Sequence, residues 1–323
     1  MSSNPLVSFI IPVFNGEKYI REAVESCLSQ THQPVEVVVT DDGSTDATLK
    51  VLRSHFAGRT NVKFDSFEQN RGKVAAYNHC YKNCSGEFIA VLDADDVAMP
   101  DRAENSIKAL EEHGAALIGG DALLVGPRKE PEIGIAQTWF GLDRTQVLTF
   151  DTLLRKPQVL GPTVFATRAV CGEIFPMDER MSHQDWWMPL AAAYRNRVMH
   201  FHAPLVKYRI HESNTSRINP DLGFDRWLEI TAREIHYFEQ VIARFELTPE
   251  QANFCNCRMR TYELLKERSF SKRLAAGFSG LGLAFRAGVP PVERAKYFIA
   301  MISPRQSFRL SMAVMKRMRA KLG

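Results

Sequence analysis

The stretch Gly86-Glu87-Phe88-Ile89-Ala90-Val91-Leu92-Asp93-Ala94-Asp95-Asp96-Val97-Ala98-Met99-Pro100 decides how the chain is read. Phe88 to Leu92 is a short apolar run bounded by glycine and proline, the pattern of a strand buried on both faces. It ends in three carboxylates, Asp93, Asp95 and Asp96. Open α/β sheets bind ligands at the carboxyl ends of such strands. Asp93 and Asp95 are two residues apart, so in extended backbone both side chains leave on one side. Neighbouring carboxylates repel unless a proton or cation separates them. A hard divalent ion, Mg²⁺ or Mn²⁺, suits oxygen ligands and keeps positions free for phosphates. The competing reading is a solvated acidic loop in which Asp96 caps the next helix.

Outward from this stretch, strands alternate with helices. Val7–Pro12 reads as a buried first strand closed by proline and Asn15-Gly16. Ile20, Ala23, Val24, Cys27 and Leu28 lie at helical spacing. Val35–Thr40 is a second β-branched strand, ending in Asp41 and Asp42 before Gly43-Ser44, and Ser44 or Thr45 is placed to cap a helix running to about His55. Val62–Phe67 is a third strand, and Asn70-Arg71-Gly72-Lys73 opens a helix through Cys84. This alternation predicts βαβ units and a parallel sheet with helices on both faces. The first strand is not followed by GxGxxG, and GxxxxGK[ST] is absent, which argues against a dinucleotide-binding dehydrogenase and a P-loop NTPase. Gly277-Phe-Ser-Gly280-Leu-Gly282 has the wrong glycine order and no strand before it, and it reads as a small-residue packing segment.

Composition fits a globular chain of 323 residues, with 45% hydrophobic and 24% charged residues. No apolar run reaches the ~20 residues of a membrane span. The opening lacks a basic segment followed by an apolar one, so no secretory signal is expected and the cytoplasm is the expected address, at the inner face of the plasma membrane if the tail binds lipid. Six cysteines (27, 80, 84, 171, 255 and 257) show neither CxxC nor zinc spacing and read as buried thiols. From Arg258 onward, fifteen Lys and Arg stand against three Glu and no Asp, a balance of +12 that leaves −8 on the preceding 257 residues. A basic tail on an acidic body points to a polyanionic partner. After Ser216 the pattern is helical, with a long periodic helix over Phe224–Phe245 and another from Pro249 to about Glu267. Ser307–Leu322 mixes apolar and basic residues, as at an anionic membrane surface or a packed subunit contact. No nucleic-acid motif accompanies the charge.

Pro12-Val13-Phe14-Asn15 with Glu17 and Ile20, Glu36-Val-Val-Val-Thr-Asp41-Asp42-Gly43-Ser44-Thr45-Asp46, Asn70-Arg71-Gly72 with Asn78, and Gly86-Glu87 to Pro100 resemble, in order and spacing, the family 2 glycosyltransferases. The resemblance extends to about Ser216. It implies a GT-A type, Rossmann-like, mostly parallel α/β sheet flanked by helices over 1–216; beyond it, 217–323 read as a helical, basic C-terminal extension from their own pattern and charge. It also implies a nucleotide-sugar donor, UDP-linked by expectation, a divalent metal, and inversion at the anomeric carbon.

Glycosyl transfer places negative charge on a departing diphosphate and positive charge on the anomeric carbon. By resemblance Asp95 is the firmer metal ligand, Asp93 faces metal or donor ribose, and Ala94 lies between them on the donor. Asp41 reads uracil or ribose, with Pro12, Val13, Phe14 and Glu17 as the rest of the nucleoside wall. Helix capping is the competing role for Asp41, and Asp42 is expected to organise the Gly43-Ser44 turn. Asn70, Arg71, Gly72 and Lys73 bring backbone N–H groups and two cations to the donor. The resemblance makes Asp185, in Ser182-His183-Gln184-Asp185-Trp186-Trp187, the candidate general base; the family usually has Glu-Asp here, and Gln184 leaves one acid. Asp185 also suits the N-cap of a helix over Trp186–Arg195. His211, in Tyr208-Arg-Ile-His211, offers an imidazole to the metal or diphosphate, and Arg209 a partner for phosphate. His200 and His202 flank a strand and carry no role. The stretch from Gly126 to Gln146, with Trp139 and Phe140, reads as a long loop that acts as a lid or acceptor contact, and Gly161-Pro162-Thr163 borders the acceptor pocket. A lipid-linked or polysaccharide acceptor suits a surface-bound enzyme, and a second copy of the chain is a further candidate partner. The competing functions are a sugar-nucleotidyltransferase, whose glycine-rich basic first loop is missing, and a non-catalytic nucleotide-sugar-binding protein, favoured by Gln184.

Overall fold

In the computed structural model the first four long strands lie parallel in the order β3-β2-β1-β4: β1 is Val7–Val13, β2 Val35–Asp41, β3 Val62–Ser66 and β4 Phe88–Val91. The structure describes residues 4–126, 129–133, 140–211 and 224–267, together with 269, 271, 272, 298, 299, 304, 309 and 313, with backbone only at 129–133 and 224–232. β1 and β2 are buried throughout, as their unbroken apolar runs require. Helices α1 (Ile20–Leu28), α2 (Thr48–Phe56) and α3 (Lys73–Asn83) connect these strands, α1 burying Ile20, Ala23, Val24 and Cys27. The chain winds outward from β1 to β3 and then returns to pair β4 on the other flank of β1. The carboxyl ends of β1 and β4 therefore flank a topological switch point, where such sheets form a crevice.

Beyond β4 the sheet is mixed rather than parallel. β5 is Val97–Ala98, β6 Leu117–Gly126, β7 Lys129–Ile133, β8 Gln146–Leu148, β9 Phe165–Thr167 and β10 Val198–Arg209. β9 runs antiparallel between β4 and β6, β10 is parallel to β6, and β5, β7 and β8 add antiparallel edges. The three-residue β9 pairs antiparallel with both of its neighbours, so the parallel arrangement that the alternation predicts stops at β4. The stretch expected as a loop from Gly126 to Gln146 contains β7, with Pro131 on an edge strand where its missing N–H is tolerated; 134–139 lie outside the described residues. Helices α4 (Arg102–His113), α5 (Phe150–Arg155), α6 (Arg168–Ile174) and α7 (Gln184–Ala193) complete this unit.

Two compact units are present, one of 1–179 with 184–214, the other of 180–183 with 215–323. The second is built on α8 (Phe224–Arg244) and α9 (Pro249–Lys266), close to the expected bounds. α9 begins with a capping box between Thr248 and Gln251 and with proline in its first turn. Phe238 meets Phe254 edge-on with centroids 6.2 Å apart, and Glu234 receives the Tyr262 hydroxyl and pairs with Arg258 at 3.3 Å. The expected amphipathic segment over Ser307–Leu322, and the Gly277–Gly282 segment, lie outside the described residues apart from isolated positions. Among the described residues no helix is long and apolar enough to cross a membrane. All six cysteines are buried, as expected, and burial pushes the thiols of Cys27 and Cys80 up to about 12.

Candidate active site

The crevice is assembled from segments that leave the carboxyl ends of β1, β2 and β4. After β1, Phe14 is 48% exposed while Pro12 and Val13 are buried in the strand. Asn15 takes a left-handed φ of 53°, and its amide oxygen accepts from the Thr45 N–H at 2.9 Å. Glu17 is exposed, and its carboxylate accepts from the Ala47 N–H at 2.9 Å, next to α2. These bonds tie the first and second strand ends together.

The two acids after β2 divide their work differently from the expectation. Asp41, only 1% exposed, accepts from the Ser44 N–H at 3.1 Å, from the Ser44 hydroxyl, and from the Ser66 hydroxyl at 3.1 Å. Asp41 is thus the residue that organises the Gly43-Ser44 turn. Asp42 instead accepts from the backbone N–H groups of Arg71 (2.7 Å) and Gly72 (2.9 Å), orienting the opening of α3. Gly43 has φ +71°, and a Cβ there would lie 2.6 Å from the backbone of Gln69. Only glycine lets the Asp41-Asp42 turn lie this close to the Asn70-Arg71-Gly72 segment. Asn70 is exposed, and Arg71 spans Phe67 at 4.7 Å and pairs with Glu179 at 3.1 Å.

Lys73 reaches into the crevice. Its ammonium lies 2.8 Å from Asp93 Oδ1, which also accepts from the Tyr77 hydroxyl at 3.1 Å. Burial works to lower the Lys73 pKa, but the Asp93 carboxylate, with lesser help from Asp185, more than reverses it, and the amine stays cationic well above the usual range. The Asp95 carboxylate lies 2.9 Å from His211 Nε2, and His211 is stacked on Tyr19 with centroids 5.1 Å apart. One oxygen from each of Asp93, Asp95 and Asp96 comes within 4.8 Å of the others. Asp96 does not cap α4, which starts beyond it without a side-chain cap. It is 1% exposed, its Oδ1 accepts from the Arg209 N–H at 2.9 Å, and its Oδ2 makes no hydrogen bond. Burial, then Asp93 and Asp95, push its pKa well above the carboxylate range. Three hard oxygen donors, one of them buried without a hydrogen-bond donor, fit a divalent cation of the Mg²⁺ or Mn²⁺ class. Arg209 does not stand free for phosphate. Its guanidinium contacts the Asp95 carbonyl at 3.0 Å and Glu22 at 2.7 Å, and lies 4.9 Å above Tyr19.

Asp185 sits in the first turn of α7, which starts at Gln184, so the expected N-cap role falls away. Pro189 lies inside the helix. Burial raises the Asp185 pKa; the Lys73 cation opposes this, Asp93 adds to it, and Gln184 donates to Oδ1 at 3.1 Å. Its electrostatic partners are thus the crevice residues Lys73 and Asp93. Trp186 and Trp187 are buried beside it, the Trp186 indole donating to the Leu153 carbonyl. The tight Gly161–Thr163 turn lies directly against Asp185.

Sequence reasoning did not single out Tyr77 or the glycine at 161 as a contact of Asp185. Tyr77 lies one helical turn after Lys73, a spacing that places both on one face. The contact between 161 and 185 is long-range and carries no sequence signal.

Residues 8–152 match the family described as "Glycosyl transferase family 2". The chain is 46% identical over 100 residues to a chondroitin synthase of Escherichia coli, a match covering 31% of this chain and 14% of that one. It is 35% identical over 128 residues to EpsE of Bacillus subtilis, covering 39% and 45% respectively. The chain thus spans less than half the length of these two curated relatives. A glycosyltransferase of Haemophilus influenzae, itself uncharacterized, is 28% identical over 226 residues, 68% of this chain and 69% of that one. Among solved structures, S. aureus TarS 1–349 in complex with UDP-GlcNAc aligns with TM-score 0.63 at 18% identity, covering 96% of this chain and 91% of that one. A mannosyltransferase of Pyrobaculum calidifontis, in complex with GDP-Man and Mn²⁺, aligns with TM-score 0.59 at 16% identity, covering 99% and 87%.

Proposed function

We propose that this chain, which belongs to glycosyl transferase family 2 and has a GT-A type fold, transfers a sugar from a nucleotide-diphosphate donor, UDP-linked, to an acceptor hydroxyl with inversion. The observation that carries this reading is the convergence of Asp93, Asp95, Lys73 and Asp185 at the switch point of the sheet. Pro12, Val13, Phe14, Glu17 and Asp41 form the nucleoside wall, Asp41 using lone pairs beyond those occupied by its serine donors. Asn70, Arg71 and Gly72 complete it, and Ala94 leaves room for the donor between two acids. Asp95, Asp93 and His211 would hold a divalent metal, which would supply Lewis-acid stabilisation to the leaving diphosphate. Lys73 adds a fixed cation on the same side.

Asp185, on the acceptor side, takes the proton from the attacking hydroxyl as its oxygen forms the new bond and the bond to the diphosphate breaks. A single displacement of this kind inverts the anomeric carbon. The basic segment after Arg258 serves attachment to an anionic membrane surface, which would bring a lipid-linked or polysaccharide acceptor to the crevice. The deciding experiment is a donor screen by thermal shift with Mn²⁺, followed by metal-dependent release of the nucleoside diphosphate with candidate acceptors. Donor binding without turnover on any acceptor would leave a binding protein and overturn the transferase reading.

A further inference from the structure

A second group of metal-ligating side chains lies in the same sheet, away from the crevice. Asp121 on β6 and His200 and His202 on β10 bring a carboxylate oxygen and two imidazole nitrogens within 4.8 Å of one another. His202 Nδ1 is 2.9 Å from Asp121 Oδ2, and His200 Nε2 is 3.8 Å from the same oxygen. Ligands held at about 2.0–2.2 Å by one tetrahedral ion lie about 3.4 Å apart, and the two observed separations bracket that value.

The backbone explains the convergence. β10 runs beside β6 with His200 opposite Gly119, and its register slips between Phe201 and Pro204, where Pro204 comes to face Asp121. The irregularity carries His202 as part of a bulge, a device that re-aims side chains. The His202 N–H, taken out of the ladder, donates to the Thr145 hydroxyl at 3.1 Å. Asp121 and His200 are each 1% exposed, whereas His202 is 41% exposed, so the group has a dry floor and one wet wall. A plain His–Asp contact accounts for His202. It does not account for His200, whose buried Nε2 makes no hydrogen bond although it points at the same carboxylate. A buried polar atom of this kind calls for a partner.

We propose that Asp121, His200 and His202 bind a divalent transition-metal ion, Zn²⁺ by preference, at a site separate from the acidic crevice. Two imidazoles and one carboxylate suit zinc, whereas Mg²⁺ and Mn²⁺ favour all-oxygen sets. Three protein ligands leave a fourth position, which the exposed side of His202 opens to water. His202 is seven residues before Arg209, the β10 residue that touches the Asp95-Asp96 segment, a run of roughly 20 Å along the strand. The ion therefore acts as a brace that pins the bulge of β10 to β6, not as a reactant in sugar transfer.

The test uses the full-length chain carrying Asp95→Asn, stripped with a chelator and kept in excess Mg²⁺, so that the crevice does not compete for zinc. Titration with Zn²⁺ is expected to show one bound equivalent and a raised unfolding temperature. Co²⁺ in its place is expected to give the visible absorption of a four-coordinate site. Adding His202→Ala, an exposed position whose loss leaves the core packed, is expected to weaken Zn²⁺ at least about tenfold and abolish the thermal shift. Asp121→Asn is a second variant with the same expectation, checked for folding by circular dichroism. Absence of Zn²⁺ binding in the parent chain, or equal affinity with and without His202, overturns the proposal.

Discussion

Gly161 and Asp185 approach so closely that a Cβ on Gly161 would lie 2.6 Å from the carboxyl carbon of Asp185. The tight turn at 161–163 and the first turn of α7 therefore set the position of this carboxylate. Gly161→Ala is expected to push the Asp185 side chain aside. A displacement of about 1 Å at a reacting group costs roughly 10²-fold in rate. The expected outcome is a kcat reduced by about that factor with donor affinity within twofold, read by steady-state kinetics and donor titration. Unchanged kcat would separate Asp185 from the chemistry.

Asp185→Asn removes the proposed base while keeping shape and volume. Turnover is expected to fall by about 10²–10⁴-fold, the usual contribution of a positioned base. Nucleotide-sugar binding, followed calorimetrically with Mn²⁺ present, should persist. Wild-type turnover in this variant would exclude the assigned role.

Burial raises the Asp185 pKa, Lys73 opposes the rise and Asp93 reinforces it. A base acts when ionised, so activity should fall as pH drops through the raised pKa. The acidic limb is then expected above the ordinary carboxylate value of about 3.9. Lys73→Met removes the opposing cation and should move the limb to higher pH at saturating donor. A limb that stays put or moves to lower pH would refute this coupling.

Chelation should abolish transfer, and Mn²⁺ or Mg²⁺ should restore it. Asp95→Asn is expected to raise the metal concentration for half-maximal activity at least about tenfold. His211→Ala should raise it in the same direction but by less, since His211 is 2.9 Å from Asp95 while two further carboxylates remain. Activity independent of metal in the intact chain would remove the cation from the reading.

Stability has its own acid-sensitive centre at Glu36. Its carboxylate is buried between strands, where it accepts from the hydroxyl of Ser8 (2.6 Å) and the N–H (2.5 Å) and hydroxyl (2.9 Å) of Ser85, and pairs with Lys63 at 2.8 Å. Burial alone would raise its pKa, but these partners bring it down from 4.5 to about 2. A depressed carboxylate stabilises the fold fully above its unfolded pKa, and that contribution is lost as pH falls from about 4.5 toward about 2. Glu36→Gln is expected to destabilise the chain by roughly 2 kcal/mol at neutral pH, less than the full shift because Lys63 is half exposed. The difference should shrink on acidification, as urea melts at several pH values would register. An equal deficit at pH 7 and pH 3 would contradict it.

Residue order by itself determined the first four strands, their helices, the placement of acids at strand ends and the resemblance to a known family over residues 8–152. Those features are local: apolar runs, turn glycines and the spacing of Asp93 from Asp95 depend on backbone periodicity, which sequence displays directly. Proximity across the fold was decided only in three dimensions. Asp41 rather than Asp42 holds the Ser44 turn, Lys73 pairs with Asp93, and Asp96 anchors Arg209 instead of capping a helix. Each of these depends on which carboxylate oxygen meets which donor from a distant segment. The antiparallel β9 inside the sheet and the bulge that turns His202 toward Asp121 are likewise products of strand pairing. Pairing partners and register come from packing over the whole sheet, and no short stretch of residues contains that information.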